Sequence, residues 1–460
     1  MSNSSSPVPK TLDDWLTLQE SVHPKSIDMG LARVTAVARA LGVDKPACRV
    51  ITVGGTNGKG STVVHLDALL RAAGASTGMF TSPHFIRYNE RIRVDGVEVG
   101  DDELVAAFER IESARGATTL TFFEYNALAA LVIFAEHAVD VAILEVGLGG
   151  RLDAVNLVDA DVAIVCSIGL DHSDWLGNTV DLIGAEKAGI FRSGRPAVLG
   201  TDDMPTSVYS VIDALKAQPV VAGKDFTWSV EEGRADGARW SYQGLRLSLR
   251  DLPPSALAGS IQYRNAATAL AALEALQLSA TAGVMAGDRR PLVAGSRPLE
   301  LNERTVREAL RSVRLAGRFQ VVSGPVEWIL DIAHNEPAAA IFARHVRERP
   351  MPPAPVPQRS ARGRTFAVVG ILGDKDAKAI TSVLEPLVDH WILCGLPGPR
   401  GVSAEVLAQR LSLATGQVTL APSVEAGCEV ARATAEPGDR VVVFGSFYTV
   451  GPALQWLGIY

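Results

Sequence analysis

Apolar and polar positions follow two patterns along the chain, one typical of strands and one typical of helices. Apolar runs of strand length lie at 49–53, 141–146 and 161–168. Between them, apolar residues recur at helical spacing at 62–73 and 124–137. Strands that alternate with helices indicate an α/β fold with a doubly wound, mostly parallel sheet, in which ligands bind at the carboxyl ends of the strands.

The pattern changes twice in the second half of the chain. Short alternating runs, each with the period of a half-buried strand, lie at 227–230, 239–242 and 245–249. They predict a small antiparallel sheet beside the large one. A new series of strands and helices begins at about residue 316. We therefore expect an N-terminal domain at 1–315 and a smaller, Rossmann-like C-terminal α/β domain at 316–460.

Composition narrows the class of protein. The hydrophobic fraction of 47% and the charged fraction of 21% are ordinary for a soluble globular chain, and 460 residues are too many for one core. The net charge of −7 argues against a nucleic-acid partner. The first ten residues lack an apolar signal core, no run is long enough to cross a membrane, and the four cysteines have no metal spacing. We expect a cytoplasmic protein.

A glycine-rich sequence at 54–61, GGTNGKGS, joins the strand at 49–53 to the helix at 62–73. Glycines let backbone N–H groups close around phosphate oxygens, and the helix N-terminus adds positive potential. Lys59 would reach the terminal phosphates, and the Ser61 hydroxyl would bind Mg2+. The general P-loop pattern has no glycine between these two residues, and an ordinary glycine-rich turn is the alternative. The lysine and the hydroxyl favour an ATP-binding, P-loop-type domain.

Polar side chains follow the apolar runs at the expected ligand-binding edge. Glu145 ends one strand, where a carboxylate beside a phosphate loop suits Mg2+. His172 follows the next strand and is a candidate second metal contact, and Ser82 lies in a loop that could face the same phosphates. The alternatives are a solvated acid, a hydrogen-bonded structural histidine and a plain Ser-Pro turn.

In the second domain, Asp331 ends the first strand and Arg318 precedes that strand. A cation and an acid from another domain could close over the nucleotide and complete the site only when the domains approach. A surface ion pair is the alternative.

Together, these segments resemble the folylpolyglutamate synthase family of the Mur ligase superfamily, and most closely its bacterial bifunctional branch, the dihydrofolate synthase/folylpolyglutamate synthases. The resemblance runs nearly end to end. Its segments are HPKSIDMGL at 23–31, GTNGKGS at 55–61, TSPH at 81–84, TFFE at 121–124, EVGLGGRLDA at 145–154, DHSDWLG at 171–177, EKAGI at 186–190, GRF at 317–319, DIAHN at 331–335, GDKD at 373–376 and GSF at 445–447.

The resemblance implies a set of site residues. It implies ATP contacts by Thr56, Asn57, Gly58, Lys59, Gly60, Ser61, Thr62, Gln262, Asn265, Arg318 and Asp331. It implies two Mg2+ ions held by Ser61, Ser82, Glu145, His172 and Lys187, the last carbamylated by CO2, and it allows K+ as a further cation. The implied catalytic residues are Lys59, His172, Lys187, Arg318 and His334. The pterin pocket would use Asp28, Gly30, Phe123, Asp153 and Ala154.

The implied reaction is an ATP-dependent amide ligation in a monomer. ATP would phosphorylate the carboxylate of dihydropteroate, or the γ-carboxylate of a reduced folate, and the amine of L-glutamate would then attack the acyl phosphate. Three alternatives remain. They are a monofunctional folylpolyglutamate synthase, a cell-wall ligase of the same superfamily, and a nucleotide-dependent switch without ligase chemistry.

Overall fold

The residues that a computed structural model of the protein describes are 9–25, 27–231, 238–285, 290–293, 299–352, 363–411, 413 and 415–460. They form two compact units. The first unit is Met1–Pro253 with Tyr263–Val313, and the second is Pro254–Gln262 with Arg314–Tyr460. The division into functional domains at 315/316 stays a prediction.

The first unit contains strands β1 to β11 and helices α1 to α10, with the first residues of α9 in the second unit. The strands are β1 (Arg49–Gly54), β2 (Thr77–Phe80), β3 (Ile92–Val94), β4 (Val97–Glu98), β5 (Val141–Glu145), β6 (Val162–Val165), β7 (Pro196–Leu199), β8 (Gln218–Val221), β9 (Thr227–Glu231), β10 (Arg239–Gln243) and β11 (Ser248–Leu252). The helices are α1 (Leu12–Val22), α2 (Ala32–Leu41), α3 (Lys59–Ala72), α4 (Asp101–Arg115), α5 (Phe122–Glu136), α6 (Ser173–Leu176), α7 (Val180–Ala188), α8 (Thr206–Leu215), α9 (Ile261–Met285) and α10 (Glu303–Ser312).

The large sheet confirms the predicted α/β fold. Among the described residues it has the order β4-β3-β2-β5-β1-β6-β7-β8, parallel from β2 to β8 with β3 and β4 antiparallel at one edge. β1 is buried along its whole length, as expected for a central parallel strand covered on both faces. Its register pairs Val53 with Glu145 of β5 and Gly54 with Val165 of β6, so the ends of these three strands share one level.

The helices begin where the sequence can satisfy their first N–H groups. α5 starts with a capping box in which the Thr121 hydroxyl accepts the Glu124 N–H and the Glu124 carboxylate accepts the Thr121 N–H. Most of α5 is buried, which places it in the interior against the sheet.

The small sheet has the order β11-β10-β9 and is antiparallel, as predicted. Its third strand lies at 248–252 and not at 245–249. The reason is Glu274 of α9, whose buried carboxylate accepts hydrogen bonds from the N–H groups of Leu245, Arg246 and Leu247 and so holds them in a turn. Alternation alone does not reveal this distant acceptor.

The second unit is a smaller α/β sandwich with its own core. Its sheet has the order β12-β13-β17-β14-β15-β16, with only β12 antiparallel among the described strands. Its strands are β12 (Gln320–Val322), β13 (Glu327–Asp331), β14 (Thr365–Val369), β15 (His390–Cys394), β16 (Val418–Ala421) and β17 (Arg440–Phe444). Its helices are α11 (Glu336–Glu348), α12 (Ala377–Ser382), α13 (Ala404–Arg410), α14 (Val424–Thr434) and α15 (Phe447–Trp456).

No described helix combines the length and the apolar character that crossing a bilayer would require.

Candidate active site

The glycine-rich loop after β1 has the backbone shape of an anion-binding loop. Gly58 caps α3 with φ +90°, and Gly55 has φ +135°, both in the region that favours glycine. A Cβ at Gly55 would lie 3.0 Å from the Cys166 backbone nitrogen, and one at Gly58 would lie 3.1 Å from Oδ1 of Asn265. Close packing by β6 and α9 therefore requires glycine at both positions.

Hydrogen bonds to the segment after β6 brace this loop. The Thr56 N–H donates to the Ser167 carbonyl at 2.7 Å, and the Thr56 hydroxyl accepts the Gly169 N–H at 3.0 Å. The Ser167 hydroxyl donates to the Asn57 carbonyl at 3.0 Å. Thr56 and Asn57, both predicted to contact ATP, thus hold the loop in shape.

Lys59 and Ser61 lie in the first turn of α3. The Lys59 ammonium donates to the carbonyls of Gly55 at 3.1 Å and Thr56 at 3.3 Å, so it lies against the loop that it follows. Ser61 is buried, and its carbonyl is 2.7 Å from Nδ1 of His65 one turn later. Gly60 and Thr62 are buried in the same turn. The Lys59 ammonium and the Ser61 hydroxyl therefore both belong to the first turn of α3, directly after the loop.

Glu145 connects the end of β5 to the loop that carries Ser82. Its Oε2 accepts the Ser82 N–H at 3.3 Å, and its register places it one residue before the end of β1. Among the described residues, no three His, Cys, Asp or Glu side chains gather into a metal cluster. Beside the Glu145 carboxylate, the oxygen donors predicted for a cation are the hydroxyls of Ser61 and Ser82. These hard oxygen donors fit Mg2+.

His172 occupies a strained position after β6. Its φ is +51°, and its N–H donates to Oδ1 of Asp171 at 2.9 Å. Its ring Nε2 lies 3.9 Å from Oδ2 of Asp171. An unfavourable backbone conformation at a non-glycine residue persists only where the surrounding structure holds it.

Lys187 is a buried lysine in the last turn of α7. Burial, together with the positive charge of Lys59, lowers the pKa of Lys187 to about 7, while Asp171 and Asp153 oppose the shift. A Cβ at Gly150 would lie 2.8 Å from the Lys187 carbonyl, so the glycine-rich loop packs directly on this helix. At neutral pH a large fraction of Lys187 is therefore an uncharged amine.

Asp153 organises the glycine-rich loop after β5. Its Oδ2 accepts the N–H groups of Gly147 at 3.0 Å and Leu148 at 2.9 Å, and its Oδ1 accepts that of Val155 at 3.0 Å. Burial raises the pKa of Asp153 to about 6, against the effect of these donors. The structure thus gives Asp153 a part in shaping the loop, and its contact with a pterin stays a prediction.

Phe123 covers this loop. A Cβ at Gly147 would lie 2.6 Å from the Phe123 ring, so only glycine fits beneath it. The ring also packs against Phe80 at a centroid distance of 5.8 Å. Ala154, buried, begins a short 3-10 helix, Ala154–Leu157. Phe123, in the first turn of α5, thus packs on the same loop that Asp153 holds and that Ala154 follows.

Asp28 lies in a charged network that the sequence did not reveal. Its Oδ2 accepts from Arg33 at 2.7 Å and is 3.2 Å from Nε2 of His23, while Arg33 also reaches Glu124 at 3.2 Å. The role of Arg33 does not follow from the sequence because its second partner, Glu124, lies far along the chain on α5. The nearest signal was a cation shortly after Asp28. Gly30 has no described atom within 4 Å of the place where a Cβ would stand.

In the second unit, Asp331 shapes the ends of β12 and β13. Its carboxylate accepts the N–H groups of Phe319 at 2.8 Å and Ala333 at 2.9 Å, two residues with positive φ. Burial raises the pKa of Asp331, and the Arg318 charge opposes that shift. The Arg318 guanidinium lies 5.4 Å from the Phe447 ring centroid.

The remaining predicted residues lie near helix starts. His334, half-buried, directly precedes Asn335, which caps α11 by accepting the Ala338 N–H at 3.0 Å. Gln262 is buried at the start of α9. The phosphate loop belongs to the first unit, and four of the predicted residues belong to the second: Arg318, Asp331, His334 and Gln262. Their contacts with ATP stay predictions.

Comparison with known families covers most of the chain. The Mur ligase middle domain matches residues 53–273, and the Mur ligase, glutamate ligase domain matches residues 317–447. The dihydrofolate synthase/folylpolyglutamate synthase of Escherichia coli K12 is 42% identical over 444 residues, which are 96% of this chain and 95% of that protein.

Solved structures agree with the family match. The E. coli protein in complex with DHPP and ADP superposes with a TM-score of 0.86 at 41% identity, covering 98% of each chain. A bifunctional folylpolyglutamate synthase/dihydrofolate synthase with Mn, AMPPNP and L-glutamate bound superposes with a TM-score of 0.83 at 39% identity, also covering 98% of each chain.

Proposed function

Because this chain belongs to the dihydrofolate synthase/folylpolyglutamate synthase family of Mur ligases, we propose that its active site lies at the carboxyl ends of β1, β5 and β6. The chain is an ATP-dependent ligase that adds L-glutamate to dihydropteroate and to reduced folates. This location rests on the strand register, because β1, β5 and β6 end side by side and are followed by the phosphate loop, by the loop after Glu145 and by the segment after β6.

The chemistry proceeds in two stages. A carboxylate resists attack by an amine because its oxygen is a poor leaving group, so ATP first converts it into an acyl phosphate. The amine of L-glutamate then adds to the acyl carbon, and the tetrahedral intermediate expels phosphate. The products are an amide, ADP and phosphate. The chain contributes mainly by positioning the reactants and neutralising their charge.

The phosphate loop holds the polyphosphate. The first N–H groups of α3, which begins at Lys59 after the Gly58 cap, bind the phosphate oxygens, and the helix dipole adds to their effect. Lys59 turns from the loop carbonyls to the terminal phosphate and offsets the charge that builds up as the acceptor carboxylate approaches.

A divalent metal belongs to this site, since a relative binds Mn with AMPPNP. We assign one Mg2+ to Ser61, Glu145 and His172, and a second to Ser82 and carbamylated Lys187, with K+ as a further cation that the site allows. When bound, the metals supply positive charge to the phosphates. The amine of Lys187 is suited to carbamylation because its uncharged form, favoured by a pKa of about 7, is the one that reacts with CO2.

The acceptor and the nucleotide base use the neighbouring loops. Phe123 offers an aromatic face to the pterin, with Asp153, Ala154, Asp28 and Gly30 at its edges. Asn265 and Gln262 contact the adenine. Arg318 and Asp331 contact the nucleotide, and His334 lies beside them. We propose that the enzyme works as a monomer in the cytoplasm, with small molecules as its only partners and no nucleic acid or membrane.

Phosphate release from ATP tests this function. Purified protein is given L-glutamate with either 7,8-dihydropteroate or a reduced monoglutamyl folate, and each reaction is repeated without L-glutamate. We expect release with both acceptors and only in the presence of L-glutamate. Release with the folate alone would indicate the alternative, a monofunctional folylpolyglutamate synthase. Release with neither acceptor would overturn the proposal.

A further inference from the structure

Four large apolar side chains close to His172 in the sequence are exposed. The exposed fractions are 52% for Leu170, 52% for Trp175, 43% for Val180 and 53% for Leu182. Scattered exposed apolar residues need no explanation, but an exposed aromatic side chain beside a predicted binding site is a candidate contact for a ligand. We call these four residues the 170–182 patch.

The fold holds Trp175 in place at the edge of this patch. The Trp175 N–H donates to the His172 carbonyl at 2.9 Å, so α6 begins directly at His172. Its neighbour Leu176 is buried, and a Cβ at Gly149 would lie 3.1 Å from Leu176 Cδ2. The Leu176 side chain thus anchors α6 on the glycine-rich loop after β5. Leu176 is therefore packed on the loop, while the indole of the neighbouring Trp175 stays exposed.

The two acceptors differ in the chemical group to which the reacting carboxylate is attached. In dihydropteroate the carboxyl carbon is bonded directly to the benzene ring of the p-aminobenzoyl group. In a monoglutamyl folate, an amide and the glutamyl chain separate the reacting γ-carboxylate from that ring. When the carboxylate is at the phosphate loop, the ring therefore lies next to the reacting centre only in the first ligation.

We propose that Trp175 packs against the p-aminobenzoyl ring of dihydropteroate and makes the first ligation, far more than the second, depend on the 170–182 patch. The inference rests on the proposed function and adds to it a residue that distinguishes the two acceptors. An indole is suited to this contact because offset or edge-on aromatic pairs are more favourable than area burial alone predicts. The inference rests on the position of Trp175, which lies in the short helix that begins directly after His172 and packs through Leu176 on the glycine-rich loop after β5.

Steady-state kinetics of Trp175→Ala, Trp175→Phe and a control, Val97→Ala, test the proposal. Val97 is 70% exposed on β4 at the far edge of the large sheet, so its variant also removes an exposed apolar side chain. We expect Trp175→Ala to raise KM for dihydropteroate about tenfold, equivalent to about 1.4 kcal/mol. In Trp175→Ala, KM for the reduced folate should change less than about twofold. Trp175→Phe keeps an aromatic ring, so its KM for dihydropteroate should stay close to that of the wild type. Val97→Ala should match the wild type with both acceptors.

Other outcomes have distinct meanings. If the wild-type protein uses neither acceptor, the proposed function fails. If the wild type uses both, an equal loss with both acceptors would overturn the inference and give Trp175 a general role in placing His172. Unchanged kinetics in Trp175→Ala would also overturn it.

Fluorescence gives a readout that does not require turnover. The protein has seven tryptophans, so the contribution of Trp175 is the difference between wild type and Trp175→Phe. We expect dihydropteroate to quench this difference signal at concentrations that saturate the enzyme, and the reduced folate to quench it less. Equal quenching by both ligands, or none by dihydropteroate, would contradict the inference.

Discussion

Two lysines with opposite surroundings stand out at the residue scale. The Lys59 ammonium donates to two carbonyls of the loop. Lys187 is buried near the Lys59 charge, and its pKa falls to about 7 although Asp171, Asp153 and Glu186 oppose the shift. Burial penalises the charged form of Lys187, so part of it is an uncharged amine near neutral pH.

Replacing Lys59 with alanine should stop ligation without unfolding the protein. Loss of a charge that faces the transferred phosphate should lower kcat at least about 100-fold. Because Lys59 is half-buried and its ammonium holds two loop carbonyls, the free energy of unfolding should fall by about 1–3 kcal/mol, which is too little to unfold the protein. The exposed Lys224→Ala variant is the matched control and should keep full activity. Turnover near the wild-type rate in Lys59→Ala would remove Lys59 from the mechanism.

Replacing Lys187 with alanine should remove activity that short-chain carboxylic acids partly restore. The variant leaves a buried space where a carbamate would stand, and a small carboxylate supplies the same two oxygens. The measurement is ligation rate against acetate or propionate concentration. Lys59→Ala serves as the control, because an added anion cannot replace a lost cation. Absence of rescue in Lys187→Ala would leave the carbamate without support.

At the scale of elements, one buried side chain determines how a small sheet meets a long helix. Glu274 on α9 accepts the Tyr242 hydroxyl at 2.6 Å and the N–H groups of Leu245, Arg246 and Leu247, the last at 2.6 Å. Its carboxylate thus fastens the turn between β10 and β11 to the helix. Sequence periodicity predicted the three strands but placed the third at 245–249 and not at 248–252. The error arose because the turn before this strand depends on Glu274, which lies far along the chain.

Replacing Glu274 with alanine should loosen this sheet. Three backbone N–H groups and a buried hydroxyl would lose their acceptor, at about 1–3 kcal/mol for each group left unsatisfied, so we expect a loss of at least about 2 kcal/mol. Urea unfolding measures it. Glu274→Gln keeps one acceptor oxygen and should lose less, and the exposed Glu303→Ala should lose less than about 0.5 kcal/mol. Equal stability of Glu274→Ala and wild type would show that the turn is held by other contacts.

On the scale of the whole molecule, each compact unit has its own apolar core. The first core gathers around α5 and the large sheet, and the second around β13, β14 and β17. The first unit also carries the phosphate loop and the predicted pterin residues with all of their described hydrogen bonds.

We therefore expect a monomer in solution. Light scattering should give a mass near 48.7 kDa, the mass of one chain. The specific activity should stay constant across a wide range of protein concentrations, because one chain supplies every predicted site residue. A mass near twice that value, with activity that falls on dilution, would contradict the prediction.

Local patterns in the sequence determined the family, the α/β fold and the residues of the phosphate loop. The run from Gly54 to Ser61 could be interpreted directly, because a strand, glycines and a helix start are neighbours in the chain and their backbone geometry depends on little else. The match to bifunctional folate ligases confirms the predicted family, while the ATP contacts of the individual loop residues stay predictions. Only the tertiary structure decided the partnerships between distant segments. The contact of Arg33 with Glu124, that of Glu274 with its turn and the depressed pKa of Lys187 all depend on burial and on charges brought together by folding, which no local pattern encodes.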